Sequence, residues 1–258
     1  MRGQDKAKYQ REKFCMELAF SDIWYWFVVM AVVSYFVGCF NFALLISKIK
    51  HKDVRKMGSG NPGTMNMSRQ FGLKIGALTL LCDMLKGGIP LLIAYFIFRG
   101  YRFAGTDVLV SDLARYVCGV AVIIGHIYPV TMKFKGGKGI ASTLGMYAFA
   151  LCLETQYPWM IAVVLGVLLL TLFYIWASEW GSMGSLLGVS LLALTQAVIF
   201  YFRYRMELTE PFVIALFMLL LLDCLLTWFA HRKNILALLA GEEHHTSVKK
   251  LSHGKKDS

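Results

Sequence analysis

Long apolar stretches alternate with short polar segments along most of the chain. Crossing about 30 Å of hydrocarbon takes about 20 mainly apolar helical residues, because every backbone polar group must be bonded within its own segment. Stretches of this kind predict seven membrane-spanning helices, at 23–47, 73–98, 113–131, 139–153, 158–177, 183–202 and 212–230. The fourth stretch is the shortest. Whether the chain crosses the membrane an odd or an even number of times depends on whether this stretch spans it.

No Pro/Gly/Ser-rich linker divides the apolar blocks, which indicates a single domain. We therefore predict an all-α, polytopic integral membrane protein whose membrane domain covers 23–245. A polar basic tail is expected at 1–22 and a basic carboxy-terminal tail at 246–258. A cleavable signal peptide is not expected, because about twenty polar residues precede the first apolar run.

Composition supports this class, since 57% of the 258 residues are apolar and 17% are charged, against about 45–50% and about 25% in soluble domains. The net charge of +11 does not indicate nucleic-acid binding, because the basic residues lie between apolar stretches. Membrane lipids and phosphorylated substrates are the expected partners. The basic loops after the first and third spans, and the basic carboxy terminus, predict a cytoplasmic carboxy terminus and an amino terminus outside.

A glycine-rich polar segment, GSGNPGTMN, occupies 58–66. Glycines let a backbone curl closely around an anion, hydroxyl and amide groups supply donors, and an arginine offers a planar fork that suits phosphate. A plain turn between helices would need only two such residues. The predicted phosphate-binding residues here are Ser59, Gly60, Asn61, Gly63, Asn66 and Arg69.

A second segment, GHIYPVTMKFKGGKG, occupies 125–139. It fails the G-x-x-x-x-G-K-[ST] nucleotide-binding pattern because Gly139 follows Lys138. A lysine enclosed by glycines suits a phosphate, whereas a purely topogenic basic loop would not require the glycines. The predicted phosphate-binding residues are Gly136, Gly137, Lys138 and Gly139, with His126 as a supporting polar residue.

Two weaker motifs follow, SEWGSMGS at 178–185, which contains Ser182, and HRKNILALLAGEE from His231. Residues His231 and Asn234 are three apart, which places them on one helical face. Taken alone, a Ser/Gly-rich membrane helix usually indicates close packing, and a single histidine beside a span is more often structural.

Asp83, Lys86 and Asp223 are among the ionisable residues that fall within predicted spans, where an unpaired charge is costly. Asp83 and Lys86 are three apart and are expected to pair or to line a polar cavity. Asp223 has no obvious partner in the sequence. The six cysteines are scattered without metal-ligand spacing and are expected to be buried free thiols.

In order and spacing, the four motifs resemble those of the bacterial acyl-phosphate:glycerol-3-phosphate acyltransferases, the PlsY family, over residues 23–245. The resemblance implies a seven-helix enzyme of the bacterial cytoplasmic membrane whose site faces the cytoplasm. Its substrates would be acyl phosphate and glycerol 3-phosphate, its product would be lysophosphatidic acid, and it would need no cofactor or metal. The functional residues carried over by position are Ser59, Gly60, Asn61, Arg69, Lys138, Ser182, His231 and Asn234, with catalytic roles for Ser182, His231 and Asn234.

The chain departs from the family pattern at a few positions. The family usually has Gly-Ala-Thr-Asn where this chain has Gly-Thr-Met-Asn at 63–66, commonly a basic residue where Glu179 stands, and a serine at Cys39. Two alternatives remain open, a transporter of organic phosphates or other anions and a non-catalytic relative. No histidine is followed five positions later by aspartate, and there is no G-x-S-x-G motif, which favours direct acyl transfer over a covalent acyl-enzyme.

Overall fold

A computed structural model describes residues 15–154 and 157–242. The predicted tail at 246–258, and residues 1–14 of the predicted amino-terminal tail, lie outside the described residues. Two short strands, β1 (Met16–Leu18) and β2 (Tyr101–Phe103), pair in parallel. The α-helices in the described ranges are α1 (Phe20–Cys39), α2 (Phe42–Ile49), α3 (Thr64–Phe71), α4 (Leu73–Phe98), α5 (Val110–Ile127), α6 (Ile140–Cys152), α7 (Met160–Ser178), α8 (Gly181–Arg203), α9 (Pro211–Ala230) and α10 (Arg232–Leu239).

Within the described part of the chain, six segments are long and apolar enough to cross a membrane, and they are Phe20–Ile49, Leu73–Phe98, Val110–Met132, Met160–Ser178, Gly181–Arg203 and Pro211–Ala230. They correspond to six of the seven predicted spans, which confirms a polytopic helical membrane protein. The remaining predicted span, at 139–153, is α6, whose 13 residues rise only about 20 Å.

The central helix of the bundle is α5, which packs against α1, α4 and α9 and is buried along most of its length. Its contact with α1 is close because two glycines face the other helix's backbone. A Cβ atom at Gly38 would lie 2.1 Å from the Val122 carbonyl oxygen, and one at Gly125 would lie 2.1 Å from the Tyr35 carbonyl oxygen. Small residues commonly allow such approaches between membrane helices.

The first predicted span, at 23–47, is not one continuous helix but two. Between α1 and α2, Asn41 caps the second helix by accepting a hydrogen bond from the Leu44 N–H at 2.9 Å. A break inside a membrane frees backbone carbonyls that need donors. Lys86 Nζ donates to the Phe40 carbonyl at 2.8 Å and pairs with Asp83 Oδ1 at 2.9 Å. The predicted Asp83–Lys86 pair is therefore confirmed, and it stabilises the break.

A buried charge network joins α5, α6 and α8 at the ends opposite the four motifs. Asp112 accepts hydrogen bonds from Arg115 at 2.7 Å and from Arg203 at 2.6 Å. Glu154, two residues after α6, accepts from Arg115 at 2.8 Å and also pairs with Arg203. Because Lys138 precedes α6 and Glu154 follows it, this short helix connects the two faces of the bundle.

Candidate active site

The segment at 58–66 is a compact loop organised by Asn66, which is buried in the first turn of α3. Its side-chain amide donates to the Met57 carbonyl at 3.0 Å and to the Val54 carbonyl at 3.3 Å, and its oxygen accepts from the Ser59 N–H at 3.3 Å. Gly60 has a φ of +69°, a conformation that favours glycine. Asn66, predicted to bind phosphate, thus directs its polar atoms into the loop and fixes its shape.

The other predicted residues of this loop lie nearer its surface. Ser59 is exposed, and its hydroxyl accepts from the Asn61 N–H at 3.4 Å. Gly63 precedes α3 and provides no side-chain cap, so the first N–H groups of α3 are not bonded by a capping side chain. Arg69 lies on the exposed side of the last turn of α3. A hydroxyl, backbone N–H groups and a guanidinium are therefore grouped on one short segment, as phosphate recognition requires.

The glycines at 136 and 137 fold the second motif back onto the end of α5. The Gly136 N–H donates to the Ile127 carbonyl at 3.0 Å, and the Gly137 N–H donates to the His126 carbonyl at 3.1 Å. His126 is buried, and its Nδ1 lies 3.5 Å from the Ser142 hydroxyl. His126 therefore supports the turn that delivers Lys138 to the start of α6, and Gly139 adopts a φ of +84° at that point.

Substituting alanine for Gly136 is expected to disrupt this turn. The added Cβ would lie 2.0 Å from the His126 carbonyl oxygen, so the backbone must move. Overpacking of this kind costs about 1–3 kcal/mol, and we expect a lower midpoint of thermal unfolding together with reduced activity. Gly100→Ala is the matched control, because a Cβ at Gly100 has no neighbour within 4 Å. Equal unfolding midpoints in the two variants would contradict the close packing of Gly136 against the His126 carbonyl oxygen.

Residues of the second and fourth motifs meet at the same helix ends. Lys138 Nζ donates to Asn234 Oδ1 across 96 positions of sequence. His231 is buried between α9 and α10, close enough to Lys138 for the ammonium charge to act on its ring. Ser182, half-buried in the first turn of α8, belongs to the helix against which α10 packs. The structure thus groups Lys138, His231 and Asn234, with α10 against the helix that carries Ser182.

The His231 ring is oriented by a backbone hydrogen bond. Its Nδ1 lies 2.9 Å from the Thr227 carbonyl oxygen. Because a carbonyl only accepts, Nδ1 carries the proton, and Nε2 of the neutral ring keeps its lone pair. Burial, together with the nearby Lys138 charge and against the opposing effect of the Thr227 hydrogen bond, lowers the pKa of His231 to about 4. His231 is therefore neutral at physiological pH and able to accept a proton.

We expect His231 to titrate near pH 4 in the folded protein rather than near its ordinary value. Nitrogen chemical shifts of ¹⁵N-histidine-labelled protein in detergent, followed between pH 3.5 and pH 8, measure this directly. The signal absent from His231→Gln identifies the residue. Because the pKa is lower in the folded than in the unfolded state, this histidine reduces stability as pH falls from about 6.5 towards 4. A midpoint near pH 6.5 would contradict the buried neutral ring.

The two loops are connected through the broken first span. Asn41 Nδ2 donates to the Pro62 carbonyl in the first loop at 3.4 Å. The Tyr35 hydroxyl, on α1, donates to the Tyr128 carbonyl in the second motif at 3.0 Å. Sequence reasoning singled out neither side chain, although an asparagine directly before an apolar run is an N-cap signal that indicates Asn41.

In the ranges 15–154 and 157–242, no group of three or more His, Cys, Asp or Glu side chains could hold a metal ion. All six cysteines lie in these ranges as free thiols, but only Cys39 and Cys118 are buried, and Cys152 is exposed, so the predicted burial was wrong for the other four. Two departures from the family pattern lie at helix ends. Thr64 begins α3, and Glu179 follows the last residue of α7 as its C-cap, with a φ of +60°.

These features define the protein's class, a polytopic membrane protein with a cluster of basic and polar side chains where several of its helices begin or end. The chain belongs to the glycerol-3-phosphate acyltransferase family, whose model matches residues 28–241. Similar curated relatives are the glycerol-3-phosphate acyltransferases of Desulfotalea psychrophila, 36% identical over 83% of this chain and 95% of the relative, and of Finegoldia magna, 37% identical over 84% and 94%.

The fold is also similar to a crystal structure of PlsY, an integral membrane glycerol 3-phosphate acyltransferase, in its glycerol 3-phosphate form. The TM-score is 0.63 at 27% identity, with 85% of this chain and 94% of that chain covered. A crystal structure of the lysophosphatidic acid form gives a TM-score of 0.64 at 26% identity. The family inferred from the four motifs is therefore confirmed, and the protein is an acyltransferase.

Proposed function

We propose that the protein transfers an acyl group from an acyl phosphate to the 1-hydroxyl of sn-glycerol 3-phosphate, giving lysophosphatidic acid and inorganic phosphate. The observation that carries this proposal is the cluster of Lys138, His231 and Asn234, which combines a cation, a neutral base and an amide at one point. The PlsY structures support it, because they were solved in a glycerol 3-phosphate form and a lysophosphatidic acid form.

The basic and hydroxyl groups bind the two phosphates of the substrates. Ser59, Asn61, Arg69 and the first N–H groups of α3 hold one phosphate, and Lys138 neutralises charge on the other. An acyl phosphate already has a good leaving group, so positioning and charge neutralisation are sufficient and no covalent nucleophile or cofactor is needed.

Transfer is a single exchange at the acyl carbon. The acceptor hydroxyl, oriented by His231 and Asn234 with Ser182 nearby, attacks the carbonyl carbon. A carbon–oxygen ester bond forms while the bond between that carbon and the phosphate oxygen breaks. The hydroxyl proton goes to His231 Nε2 or to the departing phosphate, which leaves as inorganic phosphate.

We further propose seven crossings of a bacterial cytoplasmic membrane, with α6 as the short fourth crossing, the amino terminus outside and the site facing the cytoplasm. Basic loops on the site face support this orientation. The acyl chain stays in the bilayer, and a candidate place for it is an apolar cavity of about 550 Å³ at the break in the first span, lined by Val33, Phe36, Val37, Phe40, Phe42 and Lys86.

A phosphate transporter is the runner-up. Such proteins bind their substrate near the bilayer midplane, at broken helices. Here the motif residues Lys138, Ser182 and His231 lie at helix ends, which suits an enzyme that meets one soluble and one lipid substrate.

The test supplies purified protein in detergent with glycerol 3-phosphate and either palmitoyl phosphate or palmitoyl-CoA. We expect lysophosphatidic acid only from the phosphate donor. Product from the CoA ester alone would overturn the donor, and no product from either would overturn the reaction. An acyl-enzyme that persists after removal of the donor would exclude direct transfer.

A further inference from the structure

The turn in the second motif holds a phenylalanine in a conformation that favours glycine. Lys133 has a φ of +51° and a ψ of +42°, and Phe134 has a φ of +59°. The Lys135 N–H closes the turn by donating to the Met132 carbonyl at 3.1 Å. The two central residues therefore stand where a type I′ turn usually has Asn-Gly. This left-handed conformation is unfavourable for any residue with a Cβ atom, and most of all for a bulky one.

Burial within the described part of the protein does not offset this strain. The Phe134 side chain is 59% exposed, and Val130, four residues earlier, is 47% exposed. The turn is nevertheless fixed, because the Phe134 N–H donates to the Pro129 carbonyl at 2.9 Å and the Gly136 N–H donates to the Ile127 carbonyl at 3.0 Å. A fixed turn that displays an apolar side chain at a conformational cost indicates a function outside the protein core.

Position and charge indicate what covers this turn. The third segment able to cross the membrane ends at Met132. Phe134 thus lies two residues beyond it, at the level where aromatic side chains usually meet the bilayer surface. Lys133 and Lys135, which flank it, are both exposed. Basic residues beside exposed apolar ones are typical of segments that lie in the bilayer interface and attract anionic lipids.

The exposed apolar and basic side chains of the turn form one surface, here called the tip, which consists of Val130, Lys133, Phe134 and Lys135. We propose that the tip binds the headgroups of anionic phospholipids, with the Phe134 ring inserted among the upper acyl carbons. The two ammonium groups complement the lipid phosphates, and the bilayer supplies the apolar contact that the protein does not.

The tip is joined to the catalytic cluster by a short stretch of fixed backbone. The Gly137 N–H donates to the His126 carbonyl at 3.1 Å, and Lys138 comes next. A lipid bound at the tip therefore helps to hold Lys138 in place. Anionic lipid should then speed acyl transfer, a consequence that rests on the proposed function, whereas lipid binding itself does not.

Lipid binding is measured first, on the purified full chain without substrate. Native mass spectrometry in detergent, with phosphatidylglycerol or phosphatidylcholine of the same chain length, gives an apparent dissociation constant for each lipid. We expect phosphatidylglycerol to bind more tightly, and Lys135→Gln to weaken its binding about fivefold, the usual contribution of one basic residue at an anionic surface. Equal affinities for the two lipids would overturn the proposal and favour a soluble acidic partner.

Lys56→Gln is the matched control for charge. Lys56 is also exposed, but it lies beside the buried Val54 and the half-buried Met57 rather than beside exposed apolar side chains. Its phosphatidylglycerol affinity should match that of wild type. Equal weakening in Lys56→Gln and Lys135→Gln would overturn the tip as the binding surface.

Phe134→Gly distinguishes a lipid-binding ring from a structural one. Glycine relieves the strain at this position, so the variant should unfold in detergent at or above the wild-type midpoint, while its affinity for phosphatidylglycerol falls. A midpoint below that of wild type would show that the ring packs against the protein. That result, or an unchanged affinity, would overturn the role of Phe134.

The consequence for catalysis is measured in lipid nanodiscs. Adding phosphatidylglycerol to phosphatidylcholine nanodiscs should raise the wild-type rate of lysophosphatidic acid formation several-fold, and Phe134→Gly should lose this increase. A wild-type rate that is the same in both nanodiscs would overturn the coupling to Lys138. If no lysophosphatidic acid forms in either, the proposed function fails, and the binding measurements still decide whether the tip binds lipid.

Discussion

Replacing Lys138 by methionine is expected to lower the rate of acyl transfer by about 10²–10³-fold, the usual cost of removing one preorganised group that stabilises developing charge. Methionine keeps the length and most of the volume of the side chain but removes the ammonium. The Lys138 charge also lowers the pKa of His231, so the variant should move that pKa back towards its ordinary value. Initial rates of lysophosphatidic acid formation at saturating acceptor measure the effect.

Lys133→Met is the matched control for this substitution. Lys133 lies in the same basic motif but is exposed, five residues before the cluster. We expect its rate to stay within about threefold of wild type, and both variants should insert in the membrane and unfold at midpoints near that of wild type. Equal losses in the two variants would show that only the overall positive charge of the loop matters.

The membrane fold could be predicted largely because hydrocarbon sets the length of an apolar helix. The break in the first span was missed, because Asn41 is a single N-cap signal between two phenylalanines and does not by itself show that an apolar run is divided. The break depends on Lys86, which donates to a carbonyl 46 positions away. A periodicity within one segment contains no information on such a contact.

The candidate site was predictable in its composition but not in how its residues divide the work. Glycines beside basic residues indicated the two segments that are predicted to bind phosphate. Yet Asn66 and His126 direct their polar groups into the protein, where they shape the loops, and only the folded backbone distinguishes such residues from those that face substrate. The Lys138–Asn234 contact likewise joins two motifs that the sequence separates by 96 positions.

The sequence also did not predict the charge network on the opposite face. Its members fall in different segments, which were predicted to be outside loops or the ends of spans. Asp112 lies inside α5, which begins three residues before the predicted boundary at 113. Glu154 follows α6, and Arg203 ends α8. In sequence each resembles a solvated residue near a membrane surface, whereas in the structure their side chains are at most 6% exposed.

Removing one member of this network should therefore destabilise the protein strongly. Asp112 accepts from Arg115 at 2.7 Å, and from Arg203 and the Tyr204 hydroxyl at 2.6 Å each. In Asp112→Ala two buried guanidinium groups would share only Glu154. Breaking a buried pair in this way costs about 3–5 kcal/mol, and we expect a correspondingly lower midpoint of thermal unfolding in detergent.

A control for charge alone is available on the same face. Asp107 pairs with Arg102 at 3.4 Å, but its side chain is 53% exposed, and exposed pairs contribute about 0–1 kcal/mol. Asp107→Asn should thus change the midpoint little. If Asp112→Ala were equally mild, water would have to reach both arginines, and α5, α6 and α8 would not be held together at this end by a dry network. A large drop in the unfolding midpoint in Asp112→Ala alone would instead show that the network anchors the short α6. The anchor would then lie on the face opposite Lys138 and His231.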